Sequence, residues 1–146
     1  MPYLRPFRER SRPVTQEIDF TTLRDAARGV VTRAYAPYSG LSVGAATLSE
    51  TGHIAVGCNV ENVSYGLGVC AEVSMVAGAV SAGERRLLAV SVCDGRGRLL
   101  TPCGRCRQVL LEFGGPGLLV DTDDGPRRLG ELLPEAFGPD DLERGR

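Results

Sequence analysis

No apolar run in these 146 residues approaches the roughly 20 that a membrane-crossing helix needs. The first residues, MPYLRPFRERSRP, carry no apolar block of the kind found in secretory signals, so a cytoplasmic protein with no membrane partner is expected. Net charge is equally scarce. A formal charge of −1 and a pI of about 5.9 exclude a domain built chiefly on a basic face for the phosphate backbone. Aromatic residues amount to 5%, which leaves little with which to stack single-stranded bases, and no nucleic-acid partner is expected. Histidine occurs once, as His53 at a predicted turn, and reads as an exposed polar residue rather than a ligand. No internal repeat, low-complexity block or second domain is visible.

What is present fits one soluble-type domain, with 42% hydrophobic and 24% charged residues. Residues 1–16 hold four arginines and three prolines without a hydrophobic period and read as a flexible tail. Residues 17–146 read as a single catalytic domain. The five cysteines are an odd number, which disfavours a complete disulfide framework. Cys58 and Cys93 sit in apolar, strand-like surroundings and are expected to be small buried hydrophobes.

The periodicity predicts a helix from about Asp19, with Thr22 and Asp25 at capping-box spacing and Ala36-Pro37 ending it. Leu41–Leu48 and His53–Val60 form a predicted hairpin around Ser49-Glu50-Thr51-Gly52. Residues 71–83 are helical and apolar on nearly every side, so other subunits are expected to help cover them. A strand follows over Arg86–Asp94. A second helix begins near Cys103 and ends before Gly114. Leu118–Asp121 is a short strand, and Leu129–Leu133 a short helical segment before a charged tail. A hairpin followed by alternating strands and helices predicts an α/β fold: a three-layer α/β/α sandwich with a mixed β-sheet.

The chemistry is concentrated in Cys70-Ala71-Glu72 and, 33 residues after Cys70, in Pro102-Cys103-Gly104-Arg105-Cys106. Three thiolates on one zinc leave a fourth position open, which is the catalytic rather than the structural pattern. Both segments fall at predicted helix starts, where partial positive charge and free N–H groups stabilise thiolates. Cys103 and Cys106 are spaced to share one face of a first helical turn. Glu72, two residues from Cys70, is placed to exchange protons with a water on the open position. This combination is the general signature of zinc deaminases.

Several further segments carry a family resemblance: Ala36-Pro37-Tyr38-Ser39, Val43-Gly44-Ala45-Ala46, Gly57-Cys58-Asn59-Val60-Glu61-Asn62-Val63-Ser64-Tyr65-Gly66, Pro102–Leu110 and Leu132–Pro139. In this order, across about residues 19–143, they resemble the small, homotetrameric, three-cysteine cytidine deaminases. The resemblance implies one Zn2+ per subunit, a pyrimidine nucleoside substrate, hydrolytic release of ammonia, and sites shared between the subunits of a homotetramer. It implies that Asn59 and Glu61 hold the ribose 3′-hydroxyl, that Val63 and Tyr65 reach a neighbouring subunit's site near the ribose 5′ end, and that Phe137 stacks near a base in another subunit. Backbone groups near Ala71 and Cys103 are implied to read the base edge.

Two departures stand out. Val73 occupies a place where relatives often carry an arginine against the sulfurs, so helix dipoles, with help from Arg107 or Gln108, are expected to offset the thiolate charge. Leu41 stands where an aromatic often packs on the base, so weaker base stacking is expected. Three rivals remain: a deaminase of a cytosine-containing antibiotic resembling blasticidin S, a polynucleotide editor, and an inactive zinc-stabilised assembly module. The Asn59-Val60-Glu61-Asn62 segment favours ordinary nucleosides over the first. Low charge argues against the second, and the intact Glu72 against the third.

Overall fold

The computed structural model describes residues 17–145; the expected tail at residues 1–16 lies outside them. The chain runs α1 (Phe20–Val31), β1 (Val43–Ser49), β2 (Ile54–Cys58), a single 3-10 turn (Tyr65–Leu67), α2 (Ala71–Ser81), β3 (Leu87–Asp94), α3 (Gly104–Gly114), β4 (Leu119–Val120), β5 (Arg127–Arg128), α4 (Leu129–Leu132) and α5 (Pro139–Arg144). The sheet order is β2-β1-β3-β4-β5. Only the β3–β4 pair is parallel, so the sheet is mixed as expected.

Alternation along β1 divides the core into two layers. Ala45 joins Ala55, Ala71, Met75, Val90, Val92 and Leu110 on the face covered by α2 and α3. Its neighbour Ala46 turns the other way and packs with Leu23, Ala27, Ala89 and Cys93 under α1. The architecture is therefore the α/β/α sandwich. On the α1 side, the buried Asp121 carboxylate accepts two bonds of 2.7 Å from the Arg24 guanidinium and one of 2.7 Å from Ser91 Oγ, tying the helix across the sheet.

The cap of α1 differs from the expected Thr22 box. Asp19 is the N-cap, and its carboxylate accepts from the N–H groups of Thr21 and Thr22 at 2.9 and 3.2 Å. The helix also stops at Val31, five residues before the predicted Ala36-Pro37 break. Hydrogen bonding rather than proline sterics ends it. The N–H of Tyr35 donates to Asn59 O at 3.0 Å and Glu61 N–H donates to Tyr35 O at 2.8 Å, so the chain is captured as an extension of β2. Three elements, the 3-10 turn, β5 and α5, have no counterpart among the elements expected from the sequence. A two-residue exposed edge strand has no period to detect. The α5 segment, read as a charged tail, is started by Pro139 and by Asp141 accepting from Gly138 N–H at 2.8 Å.

All five cysteines are unbridged; Cys93 is buried and Cys58 half-buried. His53 is exposed, in line with its reading as a turn residue. The apolar α2 buries Ala71, Glu72, Met75, Val76 and Ala79 but leaves Ala77, Gly78 and Ser81 open on the single chain. Among the described residues, no helix is long and apolar enough to cross a membrane.

Candidate active site

Cys70 is the N-cap of α2 and Cys103 the N-cap of α3, both with extended backbone angles. Neither side chain caps its own helix, so both sulfurs are left for other work. Two short pairings steer the chain into these caps. Val60 and Val69 exchange backbone bonds of 2.9 Å, closing the loop between them just before Cys70. The pairing of Leu99 with Cys93 and the 2.8 Å bond from Leu100 N–H to Val92 O direct the following residues toward Cys103.

Helix α3 then brings Cys106 back beside Cys103 after one turn. The sulfurs of Cys70, Cys103 and Cys106 all lie within 4.8 Å of one another. Ligands about 2.3 Å from a tetrahedral zinc stand about 3.8 Å apart, so the cluster fits a three-thiolate zinc with little adjustment. Cys106 is buried, Cys70 half-buried and Cys103 exposed, which leaves access from one side.

Without metal the three sulfurs do not ionise alike. Burial pushes the Cys106 thiol far up, with the nearby Glu72 charge adding to the rise. Burial likewise raises Cys70. Burial also opposes ionisation of Cys103, but the backbone N–H of Cys106 and the neighbouring sulfurs outweigh it and lower that thiol. Cys103 therefore ionises more readily than its two neighbours, and a cation must displace protons to recruit the sulfurs that burial raises.

Glu72 sits in the first turn of α2 and is only 5% exposed. Among the described residues it has no ion-pair partner. A buried carboxylate beside the sulfurs and unspent in the fold is available for proton transfer.

The expected help from Arg107 and Gln108 takes another form. The Arg107 guanidinium donates to Pro102 O at 2.8 Å and to Leu132 O at 2.6 Å. Gln108 Nε2 donates to Phe137 O at 2.9 Å. Both side chains strap the C-terminal segment and Pro102 to α3, and their bonds go to carbonyls rather than sulfur. The half-buried Val73 brings no charge to the centre. Helix N-termini remain the compensating field that the fold provides.

A cleft of about 310 Å³ is lined by Tyr38, Ser39, Glu61, Asn62, Tyr65 and Gly68. Glu61 Oε2 accepts from the N–H groups of Tyr38 and Ser39 at 2.9 and 3.2 Å, and Oε1 accepts from the Ser39 hydroxyl. The hydroxyl, followed by the Tyr38 N–H, holds the Glu61 carboxyl below the usual carboxylate range. Its contribution to loop stability is thus present above the unfolded value and is lost as pH falls through the lower folded one.

Asn59 clamps the same loop further on. Its Oδ1 accepts from Val43 N–H and its Nδ2 donates to Leu41 O, both at 2.8 Å. Replacing Asn59 by alanine removes both bonds, and is expected to lower stability in urea by about 1–3 kcal/mol. KM for the nucleoside should rise as well, because Leu41 is freed with the loop.

Tyr38 and Ser39 received no role from the sequence, although Tyr38 packs on Tyr65 with ring centroids 6.1 Å apart. The signals in the sequence were their place in the Ala36-Pro37-Tyr38-Ser39 segment and the following glycine, Gly40, which the fold holds at φ 69°. Leu41, Val63, Tyr65 and Phe137 are all exposed on the single chain, the last three by 76%, 82% and 59%. Ala71, by contrast, is the buried first residue of α2 and packs into the core beside Ala45 and Ala55.

The sequence model for the cytidine and deoxycytidylate deaminase zinc-binding region matches residues 19–120. A cytidine deaminase of Mycobacterium tuberculosis is 55% identical over 130 residues, covering 89% of this chain and 98% of that protein. A probable cytidine deaminase of Dictyostelium discoideum is 40% identical over 122 residues, covering 81% and 83%. The crystal structure of the M. tuberculosis enzyme superposes with a TM-score of 0.82 at 55% identity, covering 84% of this chain and 99% of that one. That of Mycobacterium leprae gives 0.80 at 45% identity, covering 82% and 100%.

Proposed function

The chain belongs to the cytidine and deoxycytidylate deaminase family, and we propose that it hydrolyses cytidine and 2′-deoxycytidine to uridine and 2′-deoxyuridine, with release of ammonia. The observation that carries this reading is the convergence of three cysteine sulfurs at two helix starts, beside a buried and unpaired Glu72.

Cys70, Cys103 and Cys106 would hold one zinc per chain. When bound, the metal supplies a Lewis acid with an open position at which water becomes acidic enough to act as a nucleophile near neutral pH. Glu72 takes a proton from the attacking water and delivers protons to the ring nitrogen and the departing amine. Overall, one water is consumed, the C4–N bond breaks, and a C4–O bond takes its place. Asn59 and Glu61 hold the loop over the cleft and present polar atoms to a ribose. The backbone at Ala71 reads the base edge, and Leu41 gives it an apolar wall without aromatic stacking.

Deamination in 18O-labelled water tests the reaction. Equimolar uridine and ammonia, with one labelled oxygen at C4, is the expected result. Absence of product, or product without label, contradicts hydrolytic deamination.

We further propose a homotetramer whose sites are shared between subunits. Support comes from the exposure of Val63, Tyr65 and Phe137 and from the open side of α2. Such residues have little reason to be apolar on an isolated chain. A stable monomer in sedimentation would contradict it. The antibiotic-deaminase and inactive-module readings gain nothing from the site, since the Asn59–Glu61 clamp, the three sulfurs and Glu72 are all in place.

A further inference from the structure

Two glycines mark the places where a helix backbone lies directly on the sheet, one on each face. On β1, a Cβ at Gly44 would stand 2.1 Å from Ala27 O, so α1 rests on the strand there. On β2, a Cβ at Gly57 would stand 2.2 Å from Met75 N, 2.6 Å from Ala71 O and 2.7 Å from Met75 Cα. Those atoms lie in the opening of α2, whose first intrahelical bond runs from Ser74 N–H to Cys70 O at 3.1 Å. The same turn begins at Cys70 and carries Glu72. Ala45, which pairs with Gly57, and Ala55 complete a small-residue seat for Ala71, Met75 and Ala79.

We propose that Gly57 is a positioning residue for the reaction: the missing side chain sets how deeply the first turn of α2 lies on the sheet. That depth fixes Cys70 and Glu72 relative to Cys103 and Cys106, which are held separately on α3. Backbone atoms cannot rotate out of the way as a side chain can. A methyl group at position 57 would therefore force the start of α2 away from the sheet, and a misplacement of about 1 Å can cost on the order of 10²-fold in rate.

The test compares Gly57→Ala with Gly44→Ala, and the gentler Ala55→Val with Ala46→Val, each pair differing in which face receives the added bulk. Readouts are kcat and KM for cytidine, and the thiolate-to-cobalt absorption and affinity of Co2+-loaded protein. Gly57→Ala is expected to lose about 10²-fold in kcat, with a much smaller change in KM. Its Co2+ affinity should fall about 10–100-fold, with an altered spectrum. Ala55→Val should move the same way by a smaller factor. Gly44→Ala and Ala46→Val should lower stability while leaving the cobalt spectrum and the kcat of folded protein unchanged.

Wild-type kcat and cobalt spectrum in Gly57→Ala would overturn the proposal, as would equal damage to the spectrum from the α1-side variants. If Gly57→Ala does not fold, the Ala55→Val spectrum decides in the same way. The kcat comparison rests on the deaminase reading, whereas the cobalt comparison does not. A wild type that binds Co2+ through its thiolates yet leaves cytidine intact would defeat the deaminase reading while the role of Gly57 is still read from the spectra.

Discussion

Replacing Glu72 by glutamine is expected to leave zinc at one per chain and to lower kcat by about 10⁴-fold, the upper end of what one positioned acid–base group contributes. The carboxamide fills nearly the same volume at a position that is only 5% exposed, so packing and the N-terminal turn of α2 should be retained. It cannot accept the proton of an attacking water or return it to the leaving amine. KM should change little, because Glu72 acts on the reacting atoms rather than on the ribose. Zinc content and kcat measured on the same preparation check this. Loss of zinc together with activity would make Glu72 a structural support; retained activity would place the proton transfer elsewhere.

Removing a sulfur should have a still broader effect. Cys106→Ala is expected to abolish stoichiometric zinc, reduce turnover to background and lower the melting temperature, because Cys106 is the buried member of the cluster. Cys58→Ala and Cys93→Ala should retain zinc, since neither belongs to the cluster. Zinc affinity should also rise with pH. Burial lifts the thiols of Cys106 and Cys70 above their ordinary value, so at lower pH the metal must displace more protons. Zinc retained in Cys106→Ala, or an affinity independent of pH, would contradict this ligand set.

The sandwich and the metal cluster were legible because each rests on a strong local pattern. Residues 43–49 and 54–58 are two mostly small or apolar runs either side of a polar turn, 87–94 is rich in valine and leucine, and the Cys-Ala-Glu and Cys-Gly-Arg-Cys segments stand where helices begin. What stayed hidden depends on pairings distant in sequence. The early end of α1 is imposed by Asn59 and Glu61 reaching back to Tyr35. The loop role of Glu61 depends on Ser39, 22 residues away. Arg107 looked available for the thiolates, and only the folded chain reveals the carbonyls of Pro102 and Leu132 within its reach. The helix cap was misplaced by three residues because Asp19 and Thr22 both suit an N-cap, and only backbone geometry distinguishes them.

The most direct test of the account is to follow zinc content and cytidine turnover in one sample through chelation and re-addition of zinc. One zinc per chain, with turnover that disappears on chelation and returns in proportion to the metal restored, is the predicted result. Turnover that persists at zero metal, or a fully zinc-loaded protein that leaves cytidine unchanged, would contradict it.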